Sequence, residues 1–413
     1  MQSTSAAPVI ARYNGIQLGD EILNEAPITI LCSGFGLGFY NPGLIISYQL
    51  RQKQIPTEVF VFESFVQQEK QDKILDSKKA YHDNFSLALV ATKIPKDIRD
   101  SIDFDQVDLL LEAWAQEGRH HFIALSGHWV YILDLYRAKL KEGHHPENNE
   151  GHPEVKVDLL YVDSDLSPSW KGLKKFNPNY NMPYNDVWLY HSLSSEISCF
   201  IPVGEEAVIP LKDRHHRYVI HGGGWGMGTY QGKIPELYEQ GFQLDIVAYE
   251  WEETLQPKPG ARYFMNDPAW TAWRKGPSGE HDLPLFAEIQ PSEAPEYTNK
   301  ESHHGLYDVI RQAKAIVSKP GAGTLMDSLS SGTPVIILEP FGTHEKRNGE
   351  LWVLKGFGIY YEDWKETGFS EQVLHELHLN LLRQRSITPS YTEVFIENHP
   401  LLKQGRSVHA DKH

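Results

Sequence analysis

One segment near the C-terminal end of the chain carries residue types that bind phosphate. Lys319, Pro320, Gly321 and Gly323 lie between a short apolar run and a run of good helix formers. The glycines bend the chain and let a ligand approach the backbone, and the helix start offers unpaired N–H groups and about half a positive charge. With Lys319 as a local cation, this segment favours the binding of a diphosphate.

Two further glycine-rich turns follow strand-like runs. The run His221 to Thr229 contains four glycines within five positions and comes directly after the apolar run Arg217 to Ile220. Such a loop lets a ligand contact the backbone closely. The turn Ser33 to Gly43 follows the strand-like run Pro27 to Cys32, although a lone glycine turn after a strand is a weak signal.

The elements around these loops repeat in the order strand, loop, helix, strand. Ala315 to Ser318 is typical of a strand, the next helix stops at Gly332, and Val335 to Leu338 is typical of another strand. Such a unit closes right-handed and places its loop at the carboxyl edge of a parallel sheet, where these sheets bind ligands. The run Pro27 to Phe62 repeats this order. We therefore predict an α/β protein with parallel sheets.

Composition excludes several classes of partner. The chain has 39 Lys and Arg against 55 Asp and Glu, a formal net charge of −16, which argues against a nucleic-acid partner. No run approaches the 18 or so apolar residues of a membrane span. We expect no secretory signal, because the first 15 residues lack its charged and apolar segments. The two cysteines, Cys32 and Cys199, provide neither a disulfide framework nor a thiol metal cluster. We expect a soluble, cytoplasmic protein.

The order and spacing of these elements resemble the GT-B glycosyltransferases. The most similar groups are the UDP-glycosyltransferase superfamily and the peptidoglycan N-acetylglucosaminyltransferases that act on a lipid-linked acceptor. The resemblance rests on the turn Asn41-Pro42-Gly43-Leu44, the loop Gly222 to Gly226 and the segment Ala315 to Asn348. It implies two Rossmann-like domains with parallel sheets that face each other across a cleft.

The resemblance also gives each domain a role. With a boundary near Ser194 to Pro210, it implies an acceptor-binding domain over 1–200, a nucleotide-sugar-binding domain over 201–385 and a C-terminal tail over 386–413. Within the first domain, the aromatic and Pro-rich run Leu166 to Glu196 suits a long, loop-based wall. That wall is either an acceptor-binding surface or a small satellite core.

The resemblance assigns donor-binding residues position by position. The diphosphate would lie on the glycine loops, and the sugar and nucleoside would contact polar side chains of the C-terminal domain. Asp327 stands where the family has a Glu that binds the ribose, His344 and Glu345 stand where it has an Asp-Gln pair for the sugar, and His303 lies in the loop that receives the base. The full set is Gly223, Gly224, Trp225, His303, Lys319, Gly321, Gly323, Thr324, Asp327, His344 and Glu345.

The general base is harder to assign, because the family often has a catalytic His where this chain has Phe39. Four candidates follow predicted strands: His128 first, then Asp163 and Asp165, then Glu63. Each alone could be a capping or solvated residue, but their coincidence at the carboxyl ends of parallel strands favours function. Placed proton abstraction contributes about 10² to 10⁴-fold to a rate, so this assignment matters.

Asp163-Ser164-Asp165 also has the Asp-x-Asp spacing with which the other glycosyltransferase fold holds a divalent cation. Here the resemblance puts the diphosphate at Lys319 and the helix dipoles instead. We therefore expect neither a metal nor a cofactor, with a nucleotide sugar as co-substrate.

The resulting hypothesis is a glycosyltransferase that moves a sugar from a nucleotide sugar, most simply a UDP-sugar, to a small-molecule acceptor with inversion. Three alternatives remain open: a sugar-nucleotide epimerase or hydrolase, a non-catalytic sugar-nucleotide sensor, and a dinucleotide-dependent oxidoreductase. The last is disfavoured because no loop completes the G-x-G-x-x-G pattern with its distant acid. The sequence names neither the sugar, the acceptor nor the oligomeric state.

Overall fold

The computed structural model describes residues 26–91, 97–142, 154–290 and 293–399. Its strands are β1 (Ile28–Cys32), β2 (Thr57–Val61), β3 (His121–Ala124), β4 (Lys156–Tyr161), β5 (Asn185–Trp188), β6 (Tyr190–His191), β7 (Glu196–Ile197), β8 (Arg217–His221), β9 (Gln243–Ala248), β10 (Arg262–Asn266), β11 (Phe286–Ile289), β12 (Ala315–Ser318), β13 (Val335–Ile337) and β14 (Gly358–Tyr360).

The α-helices in the same ranges are α1 (Leu37–Gln52), α2 (Gln68–Asp83), α3 (Phe85–Ala91), α4 (Phe104–Gln116), α5 (Val130–Glu142), α6 (Pro168–Phe176), α7 (Tyr230–Glu239), α8 (Gly305–Ile310), α9 (Ala322–Ser331), α10 (Gly342–Leu354), α11 (Tyr361–Glu366), α12 (Glu371–Ile387) and α13 (Tyr391–Asn398). None of these helices combines the length and the apolar character needed to cross a bilayer.

The first sheet is parallel and is covered on both faces. Its order is β2-β1-β3-β4-β5, and every neighbouring pair is parallel. Ile28, Ile30 and Cys32 of β1 share a core cluster with residues of α1, whereas Leu31 packs in a second cluster with α4 and α5. All five residues of β1 are buried. A near-continuous apolar strand of this kind is expected where helices cover both faces of a sheet.

The second sheet has the order β11-β10-β9-β8-β12-β13-β14. Its neighbouring pairs are parallel except for β10 and β11, which pair antiparallel. We call the elements from β1 to β7 the first unit and those from β8 to α12 the second unit. One core cluster joins them, because Ile45 of α1 and Leu325 of α9 belong to the same set of packed apolar residues.

The last described helix returns to the first unit. The Tyr391 hydroxyl of α13 donates to Asp158 Oδ2 at 3.2 Å, and Thr392 Oγ1 donates to Gln49 Oε1 at 2.5 Å. Phe200 forms an isolated parallel bridge with Ser390 just before this helix. The segment predicted as a tail therefore contains a packed helix up to Asn398, and its residues 400–413 lie outside the described ranges.

Two stretches differ from the pattern expected from sequence. Helix α1 begins at Leu37 rather than Leu44 and contains Pro42, which removes one backbone hydrogen bond from its second turn. The aromatic run predicted as a loop-based wall contains helix α6 and strand β5. Trp170 and Leu173 of α6 are buried, so an apolar face at helical spacing was hidden among the Pro and Asn residues.

Candidate functional site

Two glycine loops meet at the Lys319 side chain. The loops follow β8 and β12, which are neighbours in the second sheet and so end at the same edge. A Cβ added to Gly223 would lie 3.6 Å from Lys319 Nζ, and one added to Gly321 would lie 3.4 Å from the same atom. Gly223 also has a φ of +74°, a backbone conformation that favours glycine. The predicted phosphate-binding residues are thus brought together around one ammonium group.

Lys319 is paired with the predicted sugar-binding residue Glu345. The distance from Lys319 Nζ to Glu345 Oε1 is 2.5 Å, and only 11% and 4% of the two side chains is exposed. Glu345 Oε2 accepts a hydrogen bond from the backbone N–H of Phe341 at 2.6 Å. A ligand that binds the Lys319 ammonium must therefore compete with the buried Glu345 carboxylate, which the Phe341 N–H at the start of α10 orients.

Two helices begin at this point without a side-chain cap. Helix α9 has Gly321 as its N-cap and α1 has Gly36, and neither N-terminus receives a side-chain hydrogen bond. The two ends lie close together, since a Cβ added to Gly38 would be 3.6 Å from the backbone nitrogen of Gly323. Thr324 is buried in the first turn of α9. Two uncapped N-termini with free N–H groups make a region that attracts anions.

The buried His221 side chain adds an unpaired donor beside Lys319. Its Nδ1 accepts the N–H of Gly223 at 3.0 Å, so the proton of the neutral ring is on Nε2. This Nε2 is buried and has no hydrogen-bond partner. Burial, followed by the charges of Lys319 and His304, lowers the pKa of His221 to about 3. A neutral ring with an unpaired buried N–H is stabilised by any ligand oxygen that accepts from it.

Asp327 is bonded to His304, a residue that the sequence prediction left out of the donor set. The distance from His304 Nε2 to Asp327 Oδ1 is 3.0 Å, and both side chains are buried. The predicted base-contacting residue, His303, instead contacts Ser302 Oγ at 2.8 Å and Asp308 Oδ1 at 3.0 Å. Of the two adjacent histidines, the structure thus connects His304 to the predicted ribose-binding acid.

Asn348 connects the two units at the carboxyl end of β4. Its Nδ2 donates to Asp163 Oδ1 at 2.7 Å and to the Pro320 carbonyl at 3.0 Å, and its Oδ1 accepts from the Ser164 backbone N–H and hydroxyl at 2.8 Å each. Burial raises the pKa of Asp163, while the charge of His344 and the bond from Asn348 oppose that rise. Asp163 therefore lies among the predicted donor residues of the second unit.

The remaining catalytic candidates are engaged in different ways. Asp165 pairs with Lys171 Nζ at 2.9 Å, and this amine also donates to Thr343 Oγ1 at 2.6 Å. Burial raises the pKa of Asp165, but the bond from Lys171 outweighs it and the net pKa is lowered. His128 lies beside Phe62 with ring centroids 5.0 Å apart, and its Nδ1 has no partner. Burial lowers the pKa of His128 to about 4, which makes it a weak base.

Glu63 holds the first glycine turn in place. Its carboxylate accepts from the Ser33 hydroxyl at 2.7 Å, from the Gly34 N–H at 2.6 Å and from the Phe35 N–H at 3.0 Å, and the residue is 2% exposed. Burial raises its pKa, although these hydrogen bonds oppose the shift. Both oxygens are thus occupied by the turn, so the geometry gives Glu63 a positioning role.

Side chains of the first unit pack against the loop after β8, mainly against its Trp225. A Cβ added to Gly224 would lie 2.5 Å from Leu37 Cγ of α1, which shows how closely the units approach. The Trp225 ring is 4.3 Å from Phe35 and 5.9 Å from Tyr81 of α2, centroid to centroid. Trp225 is 4% exposed, and its Nε1 has no partner. The Trp225 ring is thus packed against two aromatic rings of the first unit.

No protein-family model and no curated protein matches the chain. Solved structures do. The spinosyn rhamnosyltransferase SpnG is similar with a TM-score of 0.53 and 11% sequence identity, over 92% of this chain and 100% of that one. The glycosyltransferase SsfS6 of Streptomyces sp. SF2575, complexed with thymidine diphosphate, is similar with a TM-score of 0.50 and 12% identity, over 91% of this chain and 100% of that one. These likenesses confirm the predicted GT-B fold.

Proposed function

We propose that the chain is a glycosyltransferase that moves a sugar from a nucleotide diphosphate sugar to a small-molecule acceptor. The observation that carries this proposal is the environment of Lys319. Its ammonium lies between the two glycine loops, in the region of the α9 start and of the unpaired N–H of His221. Backbone N–H groups, a helix N-terminus and a cation together provide what a leaving diphosphate needs.

The ion pair between Lys319 and Glu345 supports an exchange mechanism for donor binding. When the diphosphate takes the ammonium, Glu345 is released to accept from hydroxyl groups of the sugar, next to His344. Asp327 accepts from the ribose hydroxyls with His304 beside it. Each charged group then exchanges one buried partner for another, which avoids the cost of an unpaired buried charge.

Asp163 is our preferred general base, ahead of His128. Burial raises its pKa toward the working range of a base, whereas the pKa of His128 is lowered to about 4. Only its Oδ1 accepts from Asn348, so Asp163 is aligned by a bond from the donor side. We propose that the acceptor deprotonated there attacks the face of the sugar opposite to the diphosphate, which would invert the anomeric carbon.

We also propose that transfer needs neither metal nor cofactor. The two carboxylates of the Asp-x-Asp spacing already have protein partners, Asn348 for Asp163 and Lys171 for Asp165. Lys319 and the helix N-termini supply positive potential at the diphosphate instead. The activity of enzyme treated with a chelator, compared with untreated enzyme, tests this part of the proposal.

Calorimetric titration with UDP and with thymidine diphosphate tests the donor site. Thymidine diphosphate is included because the structural neighbour SsfS6 was solved with it. We expect Lys319→Met to weaken binding of the preferred nucleotide about 10- to 100-fold, since a hydrogen bond to a charged group contributes about 1.5–3 kcal/mol. Lys346→Met, at an exposed lysine of α10, is the matched control. Equal affinities of Lys319→Met and wild type would remove the basis of the proposal.

A hydrolase or epimerase on the same fold would use the same donor loops without an acceptor. Incubation with the nucleotide sugar alone, followed by product analysis, separates these activities. A transferase leaves most of the donor intact until an acceptor is added, whereas a hydrolase or epimerase converts it in the absence of one.

A further inference from the structure

We propose that Lys78 binds an anionic group of the acceptor, so that the acceptor class is a small molecule that carries a carboxylate or phosphate on an apolar body. The acceptor part of this inference rests on the proposed function. Lys78 belongs to α2 of the first unit, and no predicted site residue lies on that helix.

The Lys78 ammonium lies over two indole rings of the second unit. Its Nζ lies 5.3 Å from the ring centroid of Trp225 and 5.3 Å from that of Trp273. Cation–π contacts of this kind orient an ammonium group and strip it of water, but they leave its N–H donors without acceptor lone pairs. The rings thus contact the amine but accept no hydrogen bond through a lone pair. Its N–H groups therefore still lack a hydrogen-bond acceptor.

No carboxylate oxygen of the described residues forms an ion pair with Lys78 within 4.0 Å. Glu63 acts on it through its charge, yet the Glu63 oxygens already accept from Ser33, Gly34 and Phe35. Burial lowers the pKa of Lys78 to about 8, and Glu63 opposes that shift. At neutral pH the group is therefore mostly a cation, partly shielded from solvent, and its N–H donors have no hydrogen-bond acceptor among the described residues. An anionic ligand would supply the missing acceptor.

The position of Lys78 points to the acceptor rather than to the donor. The first glycine turn, which Glu63 holds, follows β1 at the carboxyl edge of the first sheet, the side that the fold gives to the acceptor. The Phe35 ring of this turn is 43% exposed and contacts Trp225. Lys319, by contrast, already has Glu345 as its partner on the donor side. An apolar surface beside an unpaired cation suits a molecule such as an aromatic acid.

A matched pair of probes tests the inference: 4-hydroxybenzoate and its neutral isostere 4-hydroxybenzamide. Both are titrated calorimetrically into wild type and into Lys78→Met, Lys78→Arg and Lys79→Met, with saturating UDP and without nucleotide. We expect wild type to prefer the acid by about tenfold or more, as for a contact to a charged group. Lys78→Met should lose this preference and Lys78→Arg should retain most of it. Lys79→Met should behave as wild type, because Lys79 is exposed and pairs with Glu250.

A purely structural role for Lys78, as a cation–π contact between the units, predicts a different result. Lys78→Met would then lower stability without changing the ratio of the two affinities. A retained preference in Lys78→Met, equal binding of the two probes by wild type, or no binding of either probe overturns the proposal. The titrations without nucleotide distinguish this failure from a failure of the proposed donor site. The preference for the acid can be measured in them even if the protein binds no UDP.

Discussion

Asn348 bonds to four groups from two distant parts of the chain, and this makes it the most connected side chain of the site. It is fully buried and contacts Asp163, Ser164 and Pro320. Because its amide both donates and accepts, no other residue of similar size reproduces all of these bonds. Through these bonds it links the end of β4 to the loop after β12.

We predict that Asn348→Asp destabilises the protein by about 2–4 kcal/mol at pH 7, because it places a second buried carboxylate against Asp163. Two adjacent carboxylates hold a proton at higher pH in the folded state than in the unfolded state. The folded state then binds more protons, so the destabilisation should shrink as the pH falls from 7 to 5. Urea unfolding at the two pH values measures it.

The control for this experiment is Asn179→Asp, at an exposed asparagine. This change should leave the unfolding midpoint nearly unchanged at both pH values. A pH-independent loss in Asn348→Asp would mean that shape, rather than charge, causes the destabilisation.

Residue types and their positions along the chain predicted that glycine loops lie at the edge of a parallel sheet, but not the partners of the individual side chains. Glycines that follow a strand at short spacing form a local pattern, so such a loop can be located from the sequence alone. By contrast, Asn348 and Asp163 are 185 positions apart, and the pairing of His304 with Asp327 depends on the angle at which α8 meets α9. The sequence-based prediction therefore included His303, whereas in the structure it is His304 that contacts Asp327.

At the scale of elements, α1 packs on β1 through a glycine. A Cβ added to Gly43 would lie 2.0 Å from Cys32 Sγ and 3.3 Å from Ile30 Cγ2. A larger residue at this position would not fit between α1 and β1 without a shift of the side chains around it. It also sets how far the α1 start reaches toward α9.

We expect Gly43→Ala to lower stability by about 1–3 kcal/mol, the usual cost of overpacking a core. The same substitution at Gly172 of α6, where an added Cβ meets nothing within 4 Å, should raise stability by up to about 1 kcal/mol. Urea unfolding of both variants and of wild type measures the two changes in stability, which should have opposite signs.

A double variant identifies the cause of the loss at Gly43. Cys32→Ala removes the sulfur atom that the new methyl group would meet, so Gly43→Ala should cost less in that background than in wild type. An equal cost in both backgrounds would contradict the packing explanation.

The strands and most helices of the fold follow from periodicity, since the buried parallel strands are short apolar runs between glycine turns. Several elements did not follow from it, among them α13, which lies in the segment predicted as a tail. The antiparallel strand β11 lies in a Pro- and Trp-rich stretch, α6 lies in an aromatic run, and the first turns of α1 look like a glycine loop. In each case packing against distant elements overrides a weak local preference.

At the scale of the molecule, α2 of the first unit is fastened to the second unit through His82. Its Nδ1 donates to the Gly226 carbonyl at 2.8 Å, and its Nε2 lies 3.5 Å from Glu253 Oε1. Burial lowers the pKa of His82, but the bonds to Glu253 and Gly226 outweigh it and the net pKa is raised. Protonated His82 therefore stabilises the contact between the units.

A raised pKa gives stability that is complete at pH values below the unfolded pKa of about 6.5 and is lost as pH rises through the folded pKa. We thus predict that wild type loses more stability between pH 6 and pH 8 than His82→Ala does. Urea unfolding across this range, with the exposed His375→Ala as control, measures the difference. Parallel pH curves for wild type and His82→Ala would rule out His82 as the source.

The return of α13 to the first unit has a consequence for biosynthesis. The Tyr391 hydroxyl bonds Asp158, and the backbone beside Ser390 bonds Phe200, so residues that follow the second unit in the chain complete a structure whose sheet precedes that unit. A ribosome must therefore make the entire second unit before α13 can pack on the first unit. During that interval the apolar surface that α13 covers is open to water and to other chains. The packing of the first unit is thus completed only after the second unit has been made, although its strands are made first.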